Sequence, residues 1–308
     1  MNKIFTTLFF VAFASNLFAQ GTDTRKAADD MDNKLHQSGE LKEGWTSGGV
    51  LSINMNHTKN DNWQGASEAY ALSINGSLNY FAYRKWEKNL WKNDVLLAYG
   101  VLNSPSTNEK FRKNDDRAIL TSMFGHQIKK NLYYAAALDI NTQMAPGYDY
   151  KIVDTNSKSG YAKTSNLFTP GLVRLGVGLL WQPRKNLSVY LSPATANVYT
   201  KLDKDFRDIK YNSVDSGKTL QFGLGALLRA DYYTTINKNL TYKTRFVAFT
   251  DYLDRPFNKI DWDWMNSVIF TATKYINVKL DVNFRYYEGQ YHKVQWLEML
   301  GVGFAYKF

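Results

Sequence analysis

Four histidines, no cysteine and a scatter of serines limit the side-chain chemistry open to this 308-residue chain. His36, His57, His126 and His292 are far apart and lack metal-ligand spacing, and no glycine-rich loop follows a strand and opens a helix as phosphate binding requires. The nucleophile–base pair that deserves weighing is Ser122 with His126. Both fall on one face of an alternating segment, but four extended residues separate them by about 13 Å, too far for a hydrogen bond. The chain therefore reads as a non-enzyme without cofactor or metal.

A second chemistry-bearing group is ionic. At period two, Lys92, Asp94, Arg117, Asp139, Asn141, Gln143, Arg174, Arg229, Asp231, Lys243, Arg245, Asp251, Asp263, Lys279, Asp281 and Arg285 fall opposite the apolar residues of their segments. The eight cations and six anions among them suit a wet interior, since each charge on a lipid face would cost several kcal/mol at mid-depth. Two uses compete. The charges can pair, fill a narrow barrel and pin strand register, or they can line a selective pore whose slight cationic excess favours anions.

Such side chains need elements to hold them in phase. From Trp45 onward, alternating segments closed by turns recur near residues 47–57, 69–83, 88–102, 116–129, 132–145, 167–181, 186–199, 219–235, 239–253, 260–272, 275–288 and 294–308. Most are longer than a usual soluble strand and match the roughly 9–11 residues of a tilted bilayer-crossing strand. In the last, Leu300, Val302, Phe304, Tyr306 and Phe308 share one face and Gly301, Gly303, Ala305 and Lys307 the other. The connections alternate in length. Short turns, several built on Lys-Asn-Leu, alternate with mostly longer loops at 58–68, 103–115, 146–166, 200–218, 254–259 and 289–293. Short periplasmic turns and long extracellular loops mark outer-membrane barrels. The expected fold is all-β: an antiparallel up-and-down transmembrane β-barrel of about twelve strands with both termini periplasmic. A soluble sandwich or lipocalin-like barrel explains the alternation but neither the loop asymmetry nor the strand lengths.

Aromatic residues supply 15% of the chain, as interface girdles require. Trp262, Trp264 and Tyr252 are expected at the outer rim with Tyr70, and Trp91, Tyr134, Tyr242 and Phe308 at the periplasmic rim. Trp45 and Trp63 fall outside both bands and read as anchors packed on the barrel mouth.

A mean hydropathy of −0.42 is too polar for a helical membrane protein. Residues 1–19 read as a signal peptide, with Lys3, the apolar run Ile4–Phe13 and a small residue, Ala19, at the cut. Removing them lowers the formal charge of +10 by one. After export, that charge points to anionic headgroups or acidic solutes rather than nucleic acid. Residues 20–44 read as a flexible periplasmic lead-in and 45–308 as the barrel. A secreted chain without cysteine must be held by a large core or a closed sheet.

The stretches 45–54, Asn62-Trp63 with Gly65, 72–79, Phe111-Arg-Lys-Asn-Asp-Asp-Arg117, Leu191-Ser-Pro193 and 300–308 resemble a family of uncharacterised outer-membrane barrels from Bacteroidota, domain of unknown function 3078. The resemblance implies a fold and an outer-membrane location in a Gram-negative bacterium, and no activity. The expected function is a narrow channel for small hydrophilic or anionic solutes. The competing expectation is a non-conducting structural, adhesin or envelope-assembly barrel with a salt-bridge-filled lumen. Expected partners are outer-membrane lipid and lipopolysaccharide, and the barrel-assembly machinery, which would read the C-terminal aromatic strand.

Overall fold

Alternation of apolar and polar residues over 11 to 18 positions gives each long segment one dry face and one wet face, and twelve such segments curl into a closed ring. The computed structural model describes residues 43–59, 70–103, 111–154, 159–211, 213–253, 260–273, 276–287 and 291–307. The expected signal segment, the expected lead-in up to residue 42, Trp63 and Phe308 lie outside them.

The strands are β1 (Gly44–Lys59), β2 (Tyr70–Trp86), β3 (Asn89–Asn103), β4 (Arg112–Lys129), β5 (Leu132–Thr142), β6 (Gly147–Val153), β7 (Tyr161–Ser165), β8 (Gly171–Arg184), β9 (Leu187–Thr200), β10 (Leu220–Asn237), β11 (Leu240–Asp251), β12 (Asp261–Thr271), β13 (Ile276–Tyr287) and β14 (Tyr291–Lys307). The barrel order is β1-β14-β13-β12-β11-β10-β9-β8-β5-β4-β3-β2, every neighbour antiparallel. All twelve expected strands are present.

One expected loop, 146–166, differs. It contains β6 and β7, paired with each other and not with the barrel. Residues 201–211 and 213–219 also fold, with a 3-10 turn at Lys204–Phe206 capped by the Asp203 side chain. Short connections behave as their sequences imply: Asn131 sits at φ 64 between β4 and β5, a left-handed position asparagine tolerates.

The outward faces carry Leu51, Ile53, Ile74, Leu97, Leu175, Val177, Leu191, Phe222, Phe270, Val302 and Phe304, each exposed on the isolated barrel. A wall of this extent is unsustainable in water and natural in lipid, where ring closure also pairs backbone groups between neighbouring strands. Close packing on the inner side fixes some glycines. At Gly178 a Cβ would lie 2.0 Å from the Leu191 carbonyl oxygen and 2.7 Å from the Ser192 Cα, backbone atoms that cannot move aside.

Girdle aromatics follow the strand ends. Trp91 and Tyr134 are exposed near the short turns, and Tyr242 donates to Asn266 Oδ1 at 2.8 Å. Towards the long loops Trp262 lies between Phe246 and Tyr286, at 6.3 and 6.4 Å between ring centroids. Beside it, Trp264 donates Nε1 to Thr244 at 2.9 Å, and Tyr252 donates its hydroxyl to the Pro193 carbonyl at 2.9 Å. Trp45 corrects its expected role. It lies in β1 itself, 6.1 Å from Trp91 and 5.6 Å from the Arg84 guanidinium, at the short-turn end of the barrel. The strand simply begins earlier than the apolar periodicity suggests.

Candidate functional site

The lumen divides into two halves. Along β4, β5, β8, β9, β10 and β11, half of the ring, inward residues form an apolar cluster: Met123, Ala135, Ala137, Leu180, Tyr190, Leu227 and Phe249, with Tyr133 and Val247 against it. Sequence reasoning missed this cluster. Both faces of β5 are apolar there, so alternation carries no phase; the small Ala135 and Ala137 opposite the bulkier Tyr134 and Leu138 were the available signal.

The remaining half, β12 to β3, is richer in inward polar residues, among them Asp263, Ser267, Asn283, Arg285, Asn75, Lys92 and Asp94, with the buried Tyr83, Leu96 and Ile269 between them.

The expected charged residues sort against this frame. Arg245 pairs with Asp231, which also lies 3.5 Å from Arg229 Nε. Arg285 pairs with Asp263 at 2.9 Å across β12 and β13. Arg117 holds Asp115 through two 2.7 Å bonds. Tyr83 donates to Asp94 at 2.7 Å, and Lys92 sits 5.3 Å from the Tyr83 ring. Asp139 is directly opposite Arg174 in register, yet its carboxylate accepts from Thr121 at 2.9 Å. Arg174 instead donates to Asn197 Oδ1 at 2.9 Å and lies 5.5 Å over the Phe249 ring. Arg229 similarly stands 5.7 Å over Tyr190 and reaches Met123 Sδ at 3.9 Å. Two arginines thus rest on the apolar cluster, where the aromatic faces attract guanidinium groups. Lys243 is buried, Asp251 faces the position a Cβ would take on Gly223, and Asp281 occupies the position paired with Ser267.

Burial separates wet from dry. Side-chain exposures are 37% for Arg285, 26% for Arg245 and 23% for Asp231, whereas Phe249 and Leu227 are at 7% and 3%. Arg245, Asp231 and Arg285 thus face accessible space, while the apolar cluster and the Arg117–Asp115 pair are closed off.

On the outer wall, Ser122 and His126 do not meet. Ser122 donates to Asn93 at 2.8 Å and accepts from Trp91 Nε1 at 3.0 Å, and His126 Nδ1 is 2.8 Å from Asn89 Oδ1. Among the described residues no cluster of three or more acidic or histidine side chains could hold a metal.

The long-loop end is a folded cap. Lys113 on β4 donates to Asp116 at 2.8 Å, Gln143 Oε1 at 2.9 Å, the Ala145 carbonyl at 2.7 Å and Ser165 at 3.2 Å. Asp116 accepts from the amides of Met144 and Ala145, both at 2.8 Å. Lys163 on β7 bridges to Asp203 and Asp205, and Phe206 packs on Tyr211 at 4.7 Å. Burial alone would lower the Lys163 pKa, but the hydrogen bonds it donates to Asp203 and Asp205 outweigh burial and raise it. Burial would likewise raise Asp203, and the bonds from Lys163, the Asp205 amide and Asn166 bring it below the ordinary value of 3.8. The depressed carboxylate contributes fully above that value and loses its contribution as pH falls through the lower folded one. The raised lysine contributes fully below 10.5 and loses its contribution only as pH climbs through its higher folded value. We expect loops 143–170 and 201–219 to resist limited proteolysis at neutral pH and to loosen below the Asp203 transition, with Asp203→Asn loosening them already at neutral pH. Equal digestion of wild type and variant at every pH would count against the staple.

Comparison with solved structures finds barrels. The COG4313 outer membrane channel from Pseudomonas putida F1 is 13% identical, over 87% of this chain and 97% of that one, at a TM-score of 0.42. The translocator domain of autotransporter NalP from Neisseria meningitidis is 11% identical, over 92% and 97%, at 0.40. The NanC porin is 9% identical, over 83% and 98%, at 0.39. No curated protein matches the chain. Residues 55–148 match the family described as "Protein of unknown function (DUF3078)", the family whose resemblance the motifs carry.

Proposed function

We propose that the protein is a narrow channel of a Gram-negative outer membrane, passing small hydrophilic solutes along the polar half of its lumen. The carrying observation is the divided interior: in the polar half the Arg285–Asp263 pair and, on β3, Lys92 and Asp94 are partly exposed, the Arg245–Asp231 pair of β10 and β11 borders them, and the cluster around Phe249, Leu227 and Tyr190 is packed. Paired charges keep the path wet without a strong field, so the solutes are polar rather than strongly anionic. Residues 1–19 serve as the export signal, both termini lie in the periplasm, and the lipid-facing wall meets lipopolysaccharide at the long-loop end. The C-terminal strand engages the assembly machinery.

A non-conducting structural or adhesive barrel is favoured by one feature, the closure of half the lumen by Phe249, Leu227, Tyr190 and Met123. Planar-bilayer recording separates the readings. Small discrete steps that shift when Arg245 and Arg285 are both replaced by glutamine support the channel. A folded protein that stays silent at all voltages removes it and leaves the adhesive reading.

A further inference from the structure

The stretch Phe111–Arg117 has a double life in the fold. Lys113 and Asp116 hold the cap, whereas Asn114, Asp115 and Arg117 serve the inner wall where β2, β3 and β4 run side by side. Register stacks three inward rows there: Asn75, Gly100 and Asp115; Ser77, Ala98 and Arg117; Asn79, Leu96 and Ile119.

The upper rows have almost no floor. Gly100 offers no side chain and Ala98 one carbon. A Cβ on Gly100 would lie 2.0 Å from Asn75 Oδ1 and 2.6 Å from Asn114 Oδ1, so two amide oxygens reach over the glycine. Asn114 reaches that spot because the register between β3 and β4 shifts beside it, a local bulge that re-aims a side chain.

Around this niche lies hydrogen-bonding capacity that the protein leaves unused. Arg117 spends Nε and Nη2 on Asp115, but its Nη1 is buried without a partner, on a side chain 9% exposed. Asn114 Oδ1 is also buried and unpartnered, and so, two rows further along β2, are both amide atoms of Asn79, a residue 1% exposed that would reach only the far end of an extended solute. Native interiors leave few such atoms. Here donors and acceptors occur together, and the Arg117–Asp115 pair cancels its own charge. A carboxylate brings only acceptors and meets Asp115; an ammonium brings only donors and meets Arg117. Adjacent hydroxyls bring both functions at close spacing without charge.

We propose that this niche is a binding subsite for a neutral, polyhydroxylated solute of sugar-like chemistry, with Arg117, Asn114 and Asn79 as its recognition groups. The inference rests on the channel reading and names the class of solute that pauses in the lumen. The Asn75 and Asn114 side-chain ends fill the niche when it is empty and swing aside on binding.

The test titrates maltose into the full chain in detergent by calorimetry, with folding checked by the mobility of the unboiled protein on gels. Millimolar-range binding is expected. Gly100→Ala places a methyl where only flexible amide ends must move, so the barrel folds while binding falls at least tenfold. Asn114→Ala, which removes an acceptor without adding bulk, should weaken it several-fold. No maltose binding by the wild type, or binding unchanged in both variants, overturns the subsite and assigns the orphaned atoms to ordered water. Bilayer current recorded in parallel keeps the two ideas apart. Conductance without binding refutes the subsite alone, and binding without conductance supports the subsite and refutes the channel.

Discussion

Replacing Phe249 by alanine should raise single-channel conductance several-fold and lower the stability of the barrel by about 3–5 kcal/mol. The ring is 7% exposed and belongs to the apolar cluster with Leu227 and Met123. Its edge fills the space over Gly225, where a Cβ would sit 2.8 Å from Phe249 Cζ. Arg174 also loses the face on which its guanidinium rests at 5.5 Å. Removal therefore opens space in the cluster and leaves Arg174 held only by Asn197. Phe246, three residues earlier on the same strand, packs against Trp262 on the lipid side, so Phe246→Ala should leave conductance unchanged. Bilayer recordings of both variants, with urea unfolding for stability, form the measurement. An unchanged current in Phe249→Ala would mean that no path runs beside the cluster.

The second large effect lies in the cap. Lys201 is 0% exposed, and its ammonium donates to the carbonyls of Arg207 at 3.2 Å, Ile209 at 2.6 Å and Asp215 at 3.0 Å. It acts as the centre around which residues 201–219 fold. Lys201→Met keeps the stem and removes every donor, leaving three carbonyls without that partner, for a local loss of about 3 kcal/mol or more. Trypsin should then cut at the exposed Arg207 and Lys210 far faster than in the wild type, while the barrel keeps its heat-modifiable mobility. Lys218, exposed and paired with Asp215 at 3.2 Å, is the control; its replacement by methionine should alter cleavage little, as surface pairs contribute little. Equal cleavage in the two variants would argue against a buried anchor.

The barrel was legible because its physics is periodic. Strands such as β13, with Val278, Leu280, Val282 and Phe284 alternating against Asn277, Asp281, Asn283 and Arg285, announce both the fold and its facing. The ionic residues were assigned to the lumen by the same phase, and Arg245–Asp231 and Arg285–Asp263 meet there. What alternation cannot carry is three-dimensional coincidence. Nothing near Lys201 announces that carbonyls 6, 8 and 14 residues later converge on it, nor that Lys113 reaches Ser165 across 52 positions. The apolar half escaped because β5 is apolar on both faces. The niche over Gly100 escaped because it depends on a one-residue slip in register, invisible to a pattern that assumes none.

The closure of the ring has its own consequence. Among the described residues β1 and β2 are in register over sixteen pairs, whereas β1 meets β14 in four, from Val50–Lys307 to Ile53–Phe304. The two joints share the same chemistry and differ fourfold in length. The barrel is thus a curled sheet fastened by a short clasp. Assembly gains little from that clasp until the other eleven joints have shaped the curl, so fastening comes last, and under load it is the first joint to part.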